Sequence, residues 1–309
     1  MAGMAEVRQP RGTAVALRDP LPWPAVAGAA RLAEELGYET VLLPEIAGRD
    51  ALAALTGLAG ETSRLLLGTG VVPMGSRSPM LTAMAAATVQ ERSGGRLILG
   101  LGTGPAVPGA IGRLRDLVAE VRRSIEHEVS LGVPAPVPIW ISALGPRALR
   151  LAGEVADGVL LNWCPPERVM QARAAVSEGA ASAGRDPSGV CVAVYVRASL
   201  GEDREAADLA LRRAAAEYAS YPAYARQFAA IGLEEATAAA ARAHREGHPE
   251  DVPEALLRAV ALPLDRTAAA ARLREYRDAG ADLPVVYPVV AGRDLEASLT
   301  ATIRALAPE

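Results

Sequence analysis

Short apolar runs alternate with longer amphipathic segments along most of the chain. This alternation predicts parallel strands joined by crossover helices, because a strand covered on both faces is apolar throughout, whereas a surface helix is apolar on one side only. The predicted strands are eight, at residues 13–17, 40–43, 64–72, 97–101, 137–141, 157–161, 190–196 and 283–286. Eight strand–helix units favour an α/β fold of the closed (β/α)8 TIM-barrel type over an open doubly wound sheet, and such a barrel needs ~250 residues.

The amphipathic segments predict helices at residues 24–36, 49–60, 79–92, 113–129, 267–279 and 295–306. The stretch 202–260 differs from them, because it is almost continuously helical and rich in alanine and arginine. We interpret about residues 201–265 as a helical insertion before the eighth strand rather than as a second domain. Residues 12–309 then form a single barrel domain, preceded by a flexible N-terminal tail at residues 1–11.

Composition excludes several classes of function. The net charge is −4 and no lysine occurs, so phosphate-backbone binding to nucleic acid, lysine Schiff-base chemistry and a P-loop lysine are all disfavoured. The three histidines fall on predicted helices or loops, and the two cysteines have no metal-ligand spacing, which argues against a metal site. No leader-like or membrane-spanning apolar run is present, so we expect a cytoplasmic protein with no membrane partner.

Candidate functional residues follow the predicted strands at their carboxyl ends, where barrels of this type hold their active sites. They are Arg18, Asp19, Glu45, Gly70, Val71, Thr103, Gly104, Ser142, Ala143, Leu144, Gly145, Asn162 and Trp163. Glu45 is the candidate acid–base group, and its alternative role is an ion pair with Arg49 or another arginine of the barrel rim. Arg18, Asp19 and Trp163 are candidates for contact with a small-molecule substrate, with packing as the alternative for the tryptophan.

Glycine-rich strand ends point to an anionic ligand with a flat ring. Gly145-Pro146 lies where a predicted strand meets a helix, and the N–H groups at a helix N-terminus form a ready phosphate site. Gly68 and Gly70 inside the third strand indicate a bulge or a close approach by a ligand. The spacing around Gly102 does not match the dinucleotide fingerprint, so these glycines either let a ring lie against the backbone or form plain turns.

The segments RLLLGTGVVPMGSRSPMLTAMAAATVQERSGGRLILGLGTG (64–104), LGYETVLLPEIAGRDALAALTGLAGETSR (36–64) and ISALGPRALRLAGEVADGVLLNW (141–163) together resemble the luciferase-like superfamily of flavin- and deazaflavin-dependent oxidoreductases. The resemblance implies a barrel with coenzyme F420, or alternatively FMN, at the carboxyl face of the strands. It also implies a non-prolyl cis peptide bond between Gly70 and Val71, and a homodimer. The PEIAGRD and ALGP segments are most similar to the F420-dependent branch.

Individual residue roles follow from the same resemblance. Gly70 and Val71 would support the cofactor ring, and Thr103 and Gly104 would lie beside the ring or the ribityl chain. The segment 142–145 (Ser142, Ala143, Leu144 and Gly145) would bind the phosphate through backbone N–H groups, with Asn162 near the same phosphate. Two departures from the family stand out: Glu45 occupies a position where deazaflavin members often have histidine, and the segment 105–136 is short.

These observations lead to three functional hypotheses. The first is an oxidoreductase that transfers a hydride between F420 and a small organic substrate, since such chemistry needs ring alignment more than a metal. The second is an FMN-dependent monooxygenase. The third is a barrel without cofactor that serves as a binding or partner protein or catalyses non-redox chemistry. The two departures from the family favour this third hypothesis.

Overall fold

The computed structural model describes residues 9–104 and 107–308. Within them the parallel strands are β1 (Ala14–Ala16), β2 (Thr40–Leu43), β3 (Leu66–Thr69), β4 (Val72–Pro73), β5 (Leu97–Gly102), β6 (Ile139–Ser142), β7 (Gly158–Asn162), β8 (Cys191–Ala198) and β9 (Leu283–Pro288). Each strand pairs with its neighbours in parallel, and β9 pairs with both β8 and β1. The sheet therefore closes, and the predicted (β/α)8 barrel is confirmed.

The third strand of the barrel is divided into two segments. The sequence predicts one strand over residues 64–72, but β3 and β4 are separated at Gly70 and Val71, whose connecting peptide bond is cis. β5 pairs with β3 through its first residues and with β4 through its last, so the barrel stays closed across the interruption. The bulge expected from the strand glycines is present, and the cis bond implied by the family resemblance is confirmed.

Helices surround the barrel. They are α1 (Trp23–Glu35), α2 (Ala51–Glu61), α3 (Pro79–Arg92), α4 (Ala110–His127), α5 (Pro146–Val155), α6 (Pro166–Ser182), α7 (Arg204–Ala219), α8 (Pro222–Ala229), α9 (Glu234–Glu246), α10 (Glu254–Val260), α11 (Arg266–Asp278) and α12 (Leu295–Ala305). The sequence pattern did not reveal α6, because its buried face is built largely of small residues. These small residues allow α6 to pack closely on α5, since a Cβ at Gly179 would collide with the backbone of Arg150.

Alternate residues of each strand point into the barrel, where large apolar side chains fill the space at the amino-terminal end. Trp140 is the largest of them, and it is accommodated because Gly158 on the neighbouring strand has no side chain. A Cβ at Gly158 would lie 2.5 Å from Trp140 Nε1. Towards the carboxyl ends the interior becomes polar, with Tyr195, Arg197 and Tyr287 in the corresponding positions of β8 and β9.

Helices α7 to α10 lie between β8 and α11, at the place predicted for the insertion. They form a small core of their own around the buried Phe228, Leu211 and Leu256. Trp163, which follows β7, is part of the same core and joins the insertion to the carboxyl face of the barrel.

The chain ahead of β1 is tied to the barrel from Gln9 onwards. Gln9 donates a hydrogen bond to the carbonyl of Asp157 at 2.8 Å, and Arg11 forms an ion pair with Asp282 at 2.9 Å. Residues 9–11, which the sequence assigns to a flexible tail, thus include residues that contact the barrel. Residues 1–8 of that tail lie outside the described residues. Among the helices of the described chain, none combines the length and apolar character needed to cross a membrane.

Candidate active site

The interruption between β3 and β4 is held from two sides of the barrel. Tyr195 Oη donates a hydrogen bond to the carbonyl oxygen of Gly70 at 3.0 Å, reaching across from β8. Thr69 Oγ1 accepts from the amide of Gly100 at 2.7 Å and donates to its carbonyl at 2.8 Å. A Cβ at Gly70 would collide with the Tyr195 hydroxyl, so glycine is required for this approach.

Val71 occupies the space that the glycines of β5 leave open. A Cβ at Gly102 would lie 2.5 Å from Val71 Cγ2 and 2.8 Å from Ser142 Oγ, and a Cβ at Gly100 would lie 2.9 Å from Val71 Cγ1. The valine is only partly buried, and it packs against the interior cluster of the barrel. The bulge therefore presents a fixed apolar surface at the carboxyl end of the strands.

Thr103 and Gly104 follow β5 directly beside this surface. Gly104 is exposed and has φ +65°, which favours glycine, and its Cβ position lies 3.6 Å from Pro73 at the end of β4. The hydroxyl of Thr103 donates to the carbonyl of Gly104 at 3.1 Å. The structure thus brings together the residues for which ring contact was predicted.

The segment 142–145 connects β6 to α5. Gly145 is the N-cap of α5 and has no side chain to cap the helix, so the first N–H groups of the helix point to the barrel mouth without a capping partner. The amide of Ala143 donates to Leu160 on β7 at 3.3 Å, and the carbonyl of Leu144 accepts from Arg168 at 3.0 Å, which fixes the loop. No atom lies within 4 Å of a Cβ at Gly145, so the helix N-terminus has open space before it.

Glu45 lies in a rim ion pair rather than free in the mouth. Its Oε2 is 2.7 Å from Arg77 Nη2, and the side chains of both residues are only 10% exposed. The same oxygen accepts from the backbone amide of Ala51 at the start of α2, at 2.9 Å. Of the two roles considered from the sequence, the structure provides the ion pair, and its partner is Arg77 because Arg49 is bound elsewhere.

The two candidates at the end of β1 have different surroundings. Asp19 forms an ion pair with Arg49 and accepts from its backbone amide at 2.8 Å, which ties the β1 loop to the segment before α2. The peptide bond between Asp19 and Pro20 is cis. Arg18 is exposed at the mouth, and its guanidinium interacts with the hydroxyl of Tyr287 on β9. Arg18 is therefore the member of the pair that reaches the site.

Asn162 and Trp163 join β7 to the insertion. The Asn162 amide nitrogen donates to Tyr224 Oη at 2.7 Å, and its side-chain oxygen accepts from Arg197 at 2.5 Å. Gln227 donates to the carbonyl of Trp163 at 2.6 Å, and the tryptophan is 0% exposed with φ 51°. The structure places both residues against α8, and the side chain of Trp163 packs in the core of the insertion.

Burial fixes the protonation of the tyrosines around this junction. Loss of solvation raises the pKa of Tyr224 to about 12, and it also raises the pKa of Tyr195 and of Tyr287. All three phenols are accordingly neutral at physiological pH. The hydroxyl of Tyr195 donates a hydrogen bond to Gly70, and that of Tyr224 accepts one from Asn162.

Residues 5–283 of the chain match a family model described as luciferase-like monooxygenase. The chain belongs to this luciferase-like family. Among curated proteins it is 36% identical over 202 residues to the 5,10-methylenetetrahydromethanopterin reductase of Methanolobus tindarius, covering 58% of this chain and 62% of that protein. It is 31% identical over 217 residues to a Mycobacterium tuberculosis protein named "Putative coenzyme F420-dependent oxidoreductase", covering 57% of this chain and 62% of that protein. The chain thus spans less than two thirds of the length of these relatives.

The luciferase-like barrel is also found among solved structures. The F420-dependent tetrahydromethanopterin reductase of Methanopyrus kandleri superposes with a TM-score of 0.77 at 22% identity, over 96% of this chain and 99% of that one. At this identity the likeness establishes the fold alone.

One conspicuous residue of this luciferase-like chain, Arg197, was not among the candidates that follow from the sequence. It is 2% exposed, and its guanidinium carbon lies 4.0 Å from the ring centroid of Tyr287 and 4.5 Å from that of Trp163. The available signal was an arginine in the apolar run CVAVYVRA, at an inward-facing position of the alternation. Tyr218 and Tyr224 of the insertion complete its surroundings, and five of the seven tyrosines of the chain gather here, namely Tyr195, Tyr218, Tyr221, Tyr224 and Tyr287.

Proposed function

We propose that the protein is an oxidoreductase that transfers a hydride between coenzyme F420 and a small organic substrate. The observation that carries the proposal is the pairing of the Gly70–Val71 bulge with the open N-terminus of α5 on one face of the barrel. One is an apolar support suited to a flat ring, and the other suits a phosphate. The similarity to F420-dependent reductases supports the choice of F420 over FMN.

The residues present fit such a cofactor. Val71 packs closely against the glycines of β5 on one side and is partly exposed on the other, as a support for a ring needs to be. The space in front of Gly145 admits a phosphate next to the uncapped N–H groups of α5. When bound, the deazaflavin supplies a ring carbon that accepts or donates the hydride.

We assign the protein groups accordingly. Gly70 and Val71 hold the ring, Thr103 and Gly104 flank it, and the segment 142–145 holds the phosphate. Asn162 lies on the phosphate side of the site, and its side chain is held in place by the hydrogen bond that it accepts from Arg197. These groups orient the ring and exclude water from its buried face, which is how a protein promotes hydride transfer.

The roles on the substrate side are also proposals. Arg18 faces the substrate at the mouth, Asp19 positions Arg18 by fixing the β1 loop, and Trp163 shapes the wall from behind. Glu45 remains the candidate proton donor or acceptor, and its ion pair with Arg77 would have to open for it to act.

A titration followed by fluorescence quenching tests the cofactor. We expect oxidised and reduced F420 to bind and FMN not to bind. Binding of FMN alone would identify an FMN-dependent monooxygenase, and binding of neither would favour a barrel that works without a redox cofactor.

Two leucine variants give the titration a matched pair. Gly145→Leu should weaken F420 binding by crowding the phosphate, whereas Gly132→Leu should not. Neither position has an atom within 4 Å of its Cβ, and neither has a positive φ, so both variants should fold. Equal affinity in the two variants would contradict the assignment of the phosphate site.

We further propose that the protein works in the cytoplasm as a homodimer. Cys164 and Cys191 are buried, unpaired thiols, which suits a reducing compartment. The exposed sides of α2 and α3 form a continuous face with small residues on α2 and the apolar side chains of Met80, Leu81 and Met84 on α3. We assign this face to a two-fold contact with a second copy of the chain, because small residues allow helices to approach closely.

A further inference from the structure

Arg197 is a buried cation without a buried anion. It lies at the carboxyl end of β8, points into the barrel and is 2% exposed. Within the described chain no carboxylate forms an ion pair with it, and its one hydrogen bond to a side chain is that from Nη1 to Asn162 Oδ1. An arginine so deeply buried normally has a carboxylate partner, because an uncompensated buried charge is strongly destabilising.

The surroundings hold the guanidinium in one orientation. The rings of Tyr287 and Trp163 lie against it, with centroids 4.0 and 4.5 Å from Cζ, and those of Tyr195 and Tyr218 lie 5.5 Å away. Aromatic faces stabilise a cation only in part. The in-plane N–H groups that do not reach Asn162 have no acceptor among the described residues, and these are the groups that bind a carboxylate side-on.

A second cation, Arg18, lies on the solvent side of Tyr287. The Arg18 guanidinium interacts with the hydroxyl of Tyr287, and Glu217 on α7 is the carboxylate that favours its charged form. Glu217 also accepts a hydrogen bond from Tyr221 Oη at 3.0 Å. The charge of Arg18 is therefore partly balanced, and that of Arg197 is not.

The arginine is linked directly to the support of the predicted cofactor ring. Tyr195 contacts Arg197 with its ring face and holds the carbonyl of Gly70 with its hydroxyl. An anion bound to Arg197 would consequently lie next to the reacting ring. It would be two strands away from the predicted phosphate site at α5.

We propose that Arg197, with Arg18 at the entrance, binds the carboxylate of a small organic acid whose flat or apolar part packs against Tyr218 and its aromatic neighbours. The substrate class of the enzyme is then a carboxylate-bearing compound. This inference rests on the proposed function, because it names the substrate of the same site. The bound carboxylate completes the hydrogen bonding of a guanidinium that the fold has already positioned.

Calorimetric titration with benzoate and with its neutral analogue benzamide tests the proposal. We expect the wild-type protein to bind benzoate and to bind benzamide at least about tenfold more weakly, since only the first offers a charged acceptor. Equal affinities would overturn the anion site.

Two variants place the binding at Arg197. Asn162→Asp supplies an internal carboxylate of the same shape, and Arg197→Met removes the charge while keeping an unbranched apolar chain between the rings. Both should lower benzoate affinity at least about tenfold, and Asn162→Asp should also raise the melting temperature because it pairs the buried charge. Unchanged benzoate affinity in Asn162→Asp overturns the proposal even if Arg197→Met fails to fold.

Parallel titrations with F420 separate this inference from the proposed function. If the wild type binds F420 and does not distinguish benzoate from benzamide, the substrate assignment fails and the cofactor assignment stands. If benzoate binds through Arg197 and F420 does not bind, the proposed redox function fails. A loss of F420 affinity in Asn162→Asp, with benzoate affinity unchanged, would assign the anion to the cofactor and overturn the proposal.

Discussion

At the scale of single residues, the ion pair of Glu45 and Arg77 is the most deeply buried among the ion pairs of the described residues. Each side chain is 10% exposed, and Arg77 also contacts Asp50 at 2.8 Å. Removing the charge of Glu45 would leave Arg77 with only the more exposed Asp50 as an ion-pair partner, so a buried charge would lose most of its compensation. We predict that Glu45→Gln lowers the free energy of unfolding by about 2–4 kcal/mol, measured by urea denaturation.

A matched control comes from an exposed pair of the same residue types. Glu61 pairs with Arg31 with side chains 37% and 50% exposed, so Glu61→Gln should cost less than about 1 kcal/mol. If the two variants are equally stable, the rim ion pair has no structural importance, and proton transfer becomes the better explanation of Glu45.

The cysteines offer a second test at this scale. Burial raises the pKa of Cys164 to about 12 and that of Cys191 well above its usual value, so both thiols stay protonated over the physiological pH range. Because the thiolate is the reactive form, we predict no reaction of the native protein with a disulfide reagent at pH 8. Two thiols should react after denaturation in guanidinium chloride. Fast labelling of the native state would show that one of these segments opens readily.

At the scale of elements, Glu34 near the end of α1 fastens the loop that leads into β3. Its carboxylate accepts from the backbone amides of Ser63, Arg64 and Leu65 at 2.9, 2.6 and 2.9 Å. Partial burial alone would raise the pKa of Glu34, but these hydrogen bonds outweigh it and lower the pKa. A depressed native pKa means that the stabilisation is present above the unfolded pKa and disappears as the pH falls through the native value.

The variant Glu34→Gln should therefore be less stable than the wild type by about 1–3 kcal/mol at pH 7, because a neutral amide accepts these bonds less well. The difference should begin to shrink once the pH falls below the ordinary glutamate pKa of about 4.3, and it should disappear as the pH falls through the lower native pKa of Glu34. Thermal unfolding at a series of pH values measures both effects. The exposed neighbour Glu35 is the control, and Glu35→Gln should change little at any pH. A difference that persists unchanged at low pH would contradict the role of the charge.

Elements differ in how far the sequence predicts them. Strands such as β2 and helices such as α3 were predicted to the residue, because their apolar patterns and end signals are local. The helix α6 was missed because glycine and alanine at its interface with α5 give no apolar contrast. Gly68 and Gly70 indicate that the third strand is interrupted, but the position of the interruption depends on contact with Tyr195 from another strand.

At the scale of the whole molecule, the sequence predicts which face of the barrel carries the site, but it does not predict which side chains contact one another there. Strand ends gather on one face by topology, so the bulge and the α5 N-terminus could be anticipated from local glycines. The hydrogen-bond network of Asn162, Arg197 and Tyr224 could not be anticipated from the sequence. Its members come from β7, β8 and α8, and no local pattern links them. The partner of Glu45 was open for the same reason, since Arg77 is brought to it by tertiary folding.

The proposed dimer is the remaining property of the whole molecule. Met84 is 51% exposed at the middle of the apolar face of α3, and Met170 is 59% exposed on α6 at a different part of the barrel surface. A glutamate at the centre of a helical interface would bury an unpaired charge, whereas the same change outside the interface stays in water. We predict that Met84→Glu is monomeric and that Met170→Glu remains dimeric.

Light scattering during size-exclusion chromatography measures this directly. The wild type and Met170→Glu should have twice the 32.0 kDa mass of one chain, and Met84→Glu should have the mass of one. Both substitutions lie at exposed positions, so circular dichroism and thermal unfolding should show folded protein in each case. A monomeric wild type would rule out the homodimer. A dimer that survives Met84→Glu and dissociates on Met170→Glu would move the interface from α2 and α3 to α6.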